Sequence, residues 1–391
     1  MTSIGLLAHD LSDPAIDRRV RMLEHGGATV EVAGFLRGDG QPIITPARSP
    51  LCLGRTHDAR LIRRSADIAR VLLTRMNALR RHFDGINVLI ARNLEMLVVA
   101  ARLVQLLNPR PELVYECLDI HRLLTAPGLA GSAIRRIERI AGRNVALVMT
   151  SSPAFVENHL GRGIFSGRTM IVENKVPAFG PAPVHAAPAT RPGPPWRIGW
   201  FGVLRCRRSL ELLTDLARGA EGRIEVVLRG RPSPAIFPDL AGDLDGCPNI
   251  VFEGAYDGVR DLAMIYGDVH FAWCIDFYEE GANSRWLLPN RLYESAYHAT
   301  IPVALGRDET GRFLRRHELG VVLDEFEPAG LLETFARFDA DRYARQIACL
   351  GASPRSMWST DTAECRQLVD MLAGLGAPSR TGRGESRDDP V

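Results

Sequence analysis

The chain of 391 residues is longer than a single domain usually runs and is expected to form two globular halves with sizeable cores. At 46% hydrophobic and 24% charged it is globular, and its formal net charge of +2 argues against a nucleic-acid binder held by an overall basic field. Seven dispersed cysteines without a CxxC pair disfavour a zinc ribbon or a thioredoxin-like site and fit a reducing cytosol.

From the N-terminus, SIGLLAHDLSDP has neither a basic start nor a long apolar core, so it reads as a first strand and not as a signal peptide. No stretch reaches the roughly 18 uninterrupted apolar residues of a membrane span. The protein is therefore expected in the cytoplasm, free or peripheral at the inner face of the cell membrane. The apolar runs IGLLA (4–8), TVEVAGFL (29–36), NVLIA (87–91), ELVYE (112–116), ALVMT (146–150) and MIVE (170–173) alternate with helical periodicity, as at 17–25 and 94–107. Such alternation predicts a parallel sheet.

Within this half, His9 and Asp10 end the first strand and are placed to line a cleft, with capping the equally open role for Asp10 and Asp13. Asp17 falls in the next helix's first turn, where the helix dipole favours a carboxylate. The turn lacks GxGxxG, which weakens a dinucleotide-oxidoreductase reading. A long amphipathic helix is expected from Asp58 to Phe83. It carries Arg60, Arg63, Arg64, Arg70, Arg75 and Arg81 on one side and Leu61, Ile62, Ile68, Leu72, Met76, Leu79 and Phe83 on another. It can cover a sheet with a solvated basic back, or lie against anionic lipid. VYECLDIHRLL puts Asp119 and His121 just past a strand's carboxyl end. There a histidine can hydrogen-bond sugar or phosphate, and an aspartate can orient an acceptor hydroxyl.

The proline-rich PAFGPAPVHAAPATRPGPP reads as a linker. Alternation then restarts with WRIGWFG, RIEVVLRG, NIVFEG, DVHFAWCI, IPVALG and GVVL, separated by helical segments at 209–218, 259–266, 290–297 and 310–317. Two doubly wound α/β domains follow, with ligand between them outside the carboxyl ends of the strands. IGWFGVLRCRRSL delivers Arg205, Arg207 and Arg208 after Gly202, and guanidinium forks can compensate the charge of a departing diphosphate. The most informative segment is NSRWLLPNRLYES. Pro289 presets a first helical turn, so a helix is expected to open near Leu288, with free backbone donors around Leu287 and Leu288 facing an anion. Asn290 and Glu294, four apart, project along one face near that helix end, which suits a nucleotide's diphosphate and ribose.

These segments resemble the GT-B glycosyltransferases, in particular the retaining enzymes of family 4 (group 1). In that family a glutamate of this helix binds the donor ribose, which the resemblance assigns to Glu294, and a small-residue strand follows, here from about Pro302. The loop after Gly202 resembles the family's glycine, arginine and later lysine. Arg208 falls at the lysine's spacing, Arg205 is nearest to the arginine, and Val203 occupies the arginine's usual place. The edge holding Gly254 and Asp257 takes the base in the family, so Tyr256 is the candidate to cover it. Many members carry two glutamates eight apart, the first before a glycine and against the donor sugar. Glu280 before Gly281 resembles that first glutamate, but Glu294 lies fourteen residues on, and Trp286 stands eight before it. Either the loop carries an insertion, or other polar contacts such as Asn283 replace the glutamate. HDLSDPAIDRRV resembles the acceptor-side loop, with Asp17 and Arg18 as its aspartate and arginine, though it lacks the glycine pair many members have.

By the same resemblance the fold is GT-B, two Rossmann-like domains facing a central cleft, with the last helix crossing back. The expected division is 1–178 with 356–375, a linker at 179–195, a nucleotide-sugar-binding domain at 196–355 and a disordered tail at 376–391. The implied activity is metal-independent hexosyl transfer from a nucleoside-diphosphate sugar, the only co-substrate, to a hydroxyl of a saccharide or lipid-linked acceptor. Configuration would be retained, in polysaccharide, lipopolysaccharide or glycolipid assembly. The donor β-phosphate would take the acceptor proton, stabilised by Arg205, Arg208 and the helix N-terminus, while Asp119, His121 and Glu280 orient sugar and acceptor. Rival readings are a nucleotide-sugar epimerase on the same fold and a non-catalytic nucleotide-sugar sensor. No nucleic-acid partner and no metal are expected, and the chain is read as a monomer or homodimer.

Overall fold

The computed structural model describes residues 1–38, 40–42, 49–56, 61–120, 122–161, 163–179, 192–258, 260–280 and 283–376. Strands β1 (Ser3–Ala8), β2 (Thr29–Arg37), β3 (Leu51–Thr56), β4 (Val88–Arg92), β5 (Glu112–Cys117), β6 (Val145–Thr150) and β7 (Arg168–Ile171) form one parallel sheet, ordered β3-β2-β1-β4-β5-β6-β7. The central strand β4 is buried along its whole length, as a parallel strand covered on both faces requires. Strand β3 was not among the expected runs. Its sequence LCLGRT has no continuous apolar stretch because, at the sheet edge, it buries only part of its surface.

A short strand, β8 (Val176–Pro177), leads out of this domain. A second parallel sheet follows from β9 (Trp196–Leu204), β10 (Ile224–Pro232), β11 (Ile250–Phe252), β12 (Phe271–Trp273), β13 (Ile301–Leu305) and β14 (Val321–Leu323), ordered β11-β10-β9-β12-β13-β14. Its core packs Trp196, Trp200, Phe271 and Trp273 against Leu292, Tyr293 and Leu314. In both sheets the strand order reverses beside the first strand, between β1 and β4 and between β9 and β12, which opens a crevice at the carboxyl edge of each. The chain then returns through β15 (Ser359–Thr360), which pairs with β8. Helix Thr362–Ala373 buries Cys365, Leu368, Val369 and Leu372 with Ile16, Val20 and Leu23 of helix Pro14–His25. A Cβ on Gly26 would stand 2.4 Å from the Cys365 carbonyl oxygen, so this crossing admits only glycine there.

The amphipathic stretch expected as one helix is two, Leu61–Thr74 and Met76–His82, interrupted at Arg75. Val71, Met76, Leu79 and Phe83 are buried in the first domain's core, with Ile68 and Leu72 packed against it. Burial against the sheet thus takes up the apolar face that a lipid contact would have used. Asp58 and Arg60, linker residues 180–191 and tail residues 377–391 lie outside the described residues. No helix among the described residues is long and apolar enough to cross a membrane.

Candidate active site

The carboxyl end of β5 and the start of helix Pro14–His25 meet the loop after β12 and helix Asn290–Tyr297. Helix Asn290–Tyr297 begins one residue after Pro289, which is its N-cap rather than a member of its first turn. Leu288 therefore does not open the helix. Its side chain is buried in the second core, and the Leu287 amide donates to the Asn283 carbonyl at 3.2 Å, so Leu287 offers no free donor to an anion. The helix starts instead with Asn290 and Arg291, both half-buried, and Arg291 donates to the Trp273 carbonyl at 3.1 Å.

Glu294, one turn along, is buried and already engaged. Arg18 donates to its Oε1 at 2.8 Å and the Tyr266 hydroxyl to its Oε2 at 3.2 Å. Arg18 also donates to the Asn174 carbonyl at 2.8 Å, so one guanidinium ties the first domain, the interdomain segment and helix Asn290–Tyr297 together. Burial, and then the charge of Glu294, raise the Tyr266 phenol well above its ordinary range, which keeps it a donor. Tyr256 stands in the same field. Its phenol is likewise pushed up by burial and then by Glu294, and its oxygen lies 4.0 Å from where a Gly202 side chain would begin. The edge beneath it can hold only glycine. Gly230 has φ +133°, and a Cβ there would sit 1.8 Å from the Gly202 carbonyl oxygen.

Two expected site residues from different domains meet directly. The Asn283 side-chain amide donates to the Asp119 carboxylate, and its oxygen accepts from the Ile120 amide at 3.3 Å. Burial raises the Asp119 carboxyl pKa, while the Asn283 hydrogen bond and the charge of Arg205 pull it down. The segment before helix Asn290–Tyr297 is clamped to the first domain further by Ser152 Oγ, which donates to the Trp286 carbonyl at 2.5 Å. Tyr293 adds a hydrogen bond to Glu173 at 3.0 Å. His9 lies near Asp119 with a buried Nδ1 that has no partner among the described residues, and its Nε2 is 3.8 Å from Asp13. Burial lowers its pKa, Asp13 opposing and Arg92 assisting, so the imidazole is neutral at pH 7. His121 lies outside the described residues.

The arginine loop divides. Arg205 reaches Asp276 at 3.4 Å and lies over the Tyr278 ring at 4.8 Å, about two-fifths exposed. Arg208 stacks on Phe277 and Phe326 and donates to Glu280 at 2.9 Å, while Arg307 donates to the other Glu280 oxygen at 2.7 Å. Glu280, expected against the donor sugar, is in this structure a brace between two guanidiniums. Arg207 turns away to Asp243 and the Ile236 carbonyl. On the first domain, Asp10 accepts from the Ser12 amide and hydroxyl and from the Arg37 amide, which makes it a loop cap. Asp13 caps the helix that carries Asp17 in its first turn.

Two features went unread in the sequence. Arg307 and Asp308 follow β13 at the same sheet edge, where a βα turn reading GRDE was the available signal. The Asp308 carboxyl rises to about 6, because burial outweighs Arg307, Arg285 and Arg312. Beneath the first domain's crevice, Glu116 accepts from Arg19 at 2.6 Å and from Arg92 at 2.7 Å. Burial works to raise the Glu116 pKa, but the two guanidiniums overcome it and hold the carboxyl at about 2.

Two Rossmann-like parallel-sheet domains that meet across a cleft define the GT-B fold. No family model matches the chain. It is 44% identical over 381 residues to the succinoglycan biosynthesis protein ExoL of Rhizobium meliloti (strain 1021), covering 96% of this chain and 94% of that one, and it belongs to the same family. Solved structures agree on the fold. The sucrose-phosphate synthase of Thermosynechococcus elongatus superposes with a TM-score of 0.66 at 15% identity, covering 95% of this chain and 96% of that one. HepE of Anabaena, in complex with UDP and glucose, gives 0.66 at 15% identity, covering 95% and 99%.

Proposed function

We propose that the chain transfers a hexosyl group from a nucleoside-diphosphate sugar to a hydroxyl of a saccharide or lipid-linked acceptor, with retention, in the assembly of an extracellular polysaccharide. The observation that carries this reading is the set Asn290, Glu294 and Arg18 at the start of helix Asn290–Tyr297, opposite Asp119 and His9. Glu294 keeps unused lone pairs beside Arg18 and Tyr266 and can accept from ribose hydroxyls. Tyr256 covers the base above Gly202 and Gly230. The ExoL name supports polysaccharide assembly, and the HepE complex supports a uridine diphosphate type of donor.

In the proposed reaction the bond from the sugar's anomeric carbon to the β-phosphate oxygen breaks as the acceptor oxygen bonds that carbon. The acceptor proton passes to the departing phosphate. Arg205 and the amides of Asn290 and Arg291 stabilise the diphosphate, while Arg208 is held ready by Glu280. Asp119, fixed by Asn283, orients the acceptor hydroxyl, with neutral His9 beside it. Because guanidiniums supply the compensating charge, turnover is expected to survive a metal chelator.

Nucleotide sugars screened by thermal shift identify the donor, and release of nucleoside diphosphate is then followed with and without acceptor. Glu294→Ala is expected to abolish donor-induced stabilisation, and Arg205→Ala to lower kcat by about a hundredfold. An isomerised donor formed without acceptor, or donor binding without turnover in a panel of acceptors, overturns the reading in favour of epimerase or sensor.

A further inference from the structure

We propose that helix Gly128–Ala141 of the first domain is a docking face for an anionic lipid surface. Of its four large apolar side chains only Ile134 packs against the domain's core. The inward side buries Gly131, Glu138 and Ala141, and Glu138 binds His159 at 2.9 Å inside the domain. Arg135 is turned back to the carbonyls of Leu124 at 3.1 Å and Ala126 at 2.8 Å.

The outward side carries the other three. Leu129 is 91% exposed, Ile140 49% and Ile137 44%. At about 100° per residue, Leu129, Ala133, Ile137 and Ile140 form one stripe with Arg136 and Arg139 along its edge, and Arg143 follows in the turn Gly142–Asn144, all three arginines exposed. None of these three arginines forms an ion pair with a described residue. The helix's one acid, Glu138, is sealed inside, so the outward face is apolar and cationic with no anion on it.

Apolar side chains bordered by unpaired arginines match the boundary between acyl chains and anionic headgroups. They do not suit a second copy of the chain. Across a two-fold axis the same patch meets itself, and the arginine row would face its own like charges. The helix Leu61–Thr74, whose apolar side faces the core, offers no comparable stripe among its described side chains. The segment leading into helix Gly128–Ala141 starts at Asp119, so lipid held here stands on the acceptor side of the first domain. Binding itself does not depend on the sugar-transfer reading.

The test is flotation of the full chain with vesicles of phosphatidylcholine alone or with phosphatidylglycerol added. Wild type is expected to float only with the anionic vesicles, and less so at high salt. Arg136→Gln/Arg139→Gln/Arg143→Gln is expected to weaken partition on the order of a hundredfold, each arginine contributing roughly fivefold near such a surface. Leu129→Ser/Ile137→Ser/Ile140→Ser is expected to lose flotation as well, with melting temperature and donor-induced thermal shift unchanged in both variants. Three results would overturn the proposal. One is failure of wild type to float with anionic vesicles, and another is an equal loss from Arg70→Gln/Arg75→Gln/Arg81→Gln. The third is a concentration-dependent dimer that the serine variant abolishes.

Discussion

The Arg18–Glu294 pair lends itself to a quantitative test. Both side chains are nearly buried, at 13% and 8% exposure, and they meet at 2.8 Å across the two domains. Arg18→Met leaves the Glu294 carboxylate in a dry site with only the Tyr266 hydroxyl as donor. Removing one partner of a buried pair costs about 3–5 kcal/mol. Tyr266 remains, so a loss of about 3 kcal/mol, the lower end, is expected. Arg18→Met/Glu294→Met removes both charges and is expected to be less destabilised than the two single variants predict, by roughly 2 kcal/mol of coupling. Denaturant unfolding followed by tryptophan emission is a suitable assay, because all five tryptophans lie at or after Trp196 and report on the second domain and its junction. Single variants that add within about 0.5 kcal/mol would refute the argument, since groups in direct buried contact cannot behave independently.

Two further expectations concern pH and the buried acids. The Glu116 carboxyl, held at about 2 against an ordinary 4.5, binds fewer protons in the folded state, so its stabilisation is present above the ordinary value and is lost as pH falls through 2. Glu116→Gln strands Arg19 and Arg92 and is expected to cost about 3–5 kcal/mol at pH 7 by urea denaturation, with the deficit narrowing as pH drops below 4. Asp308 has the opposite sign. Raised from 3.8 to about 6, it favours folding when protonated, so its contribution disappears as pH rises from about 4 through 6. Asp308→Asn is expected to exceed wild type in stability by about 2 kcal/mol at pH 8 and to match it near pH 4. A gap that does not change with pH would exclude the titration.

Much of the site's framework was legible because it depends on local chemistry. The alternation of apolar runs with helical periodicity located most strands of both sheets. Asp13 followed by Pro14 is a helix start that local rules specify, and the structure opens that helix three residues before the periodicity alone placed it. Helix Asn290–Tyr297 fell where the spacing put it. Edge strand β3 was not legible, because a strand that buries little needs no apolar signature. The break at Arg75 was missed because the periodicity runs through it.

The sequence by itself determined two α/β halves, a proline-marked helix facing a crevice, and Asn290 and Glu294 on one face of that helix, since these follow from backbone preferences and residue periods acting over a turn or two. Only the tertiary structure decided which side chains share a charge: Arg18 with Glu294, Asn283 with Asp119, and Glu280 between Arg208 and Arg307. It also decided that the helix beginning at Leu61 turns its apolar side inward while the helix beginning at Gly128 leaves Leu129, Ile137 and Ile140 outside. Partners distant in sequence are brought together by sheet order and domain closure, and the low dielectric of the place where they meet sets how strongly each pair interacts.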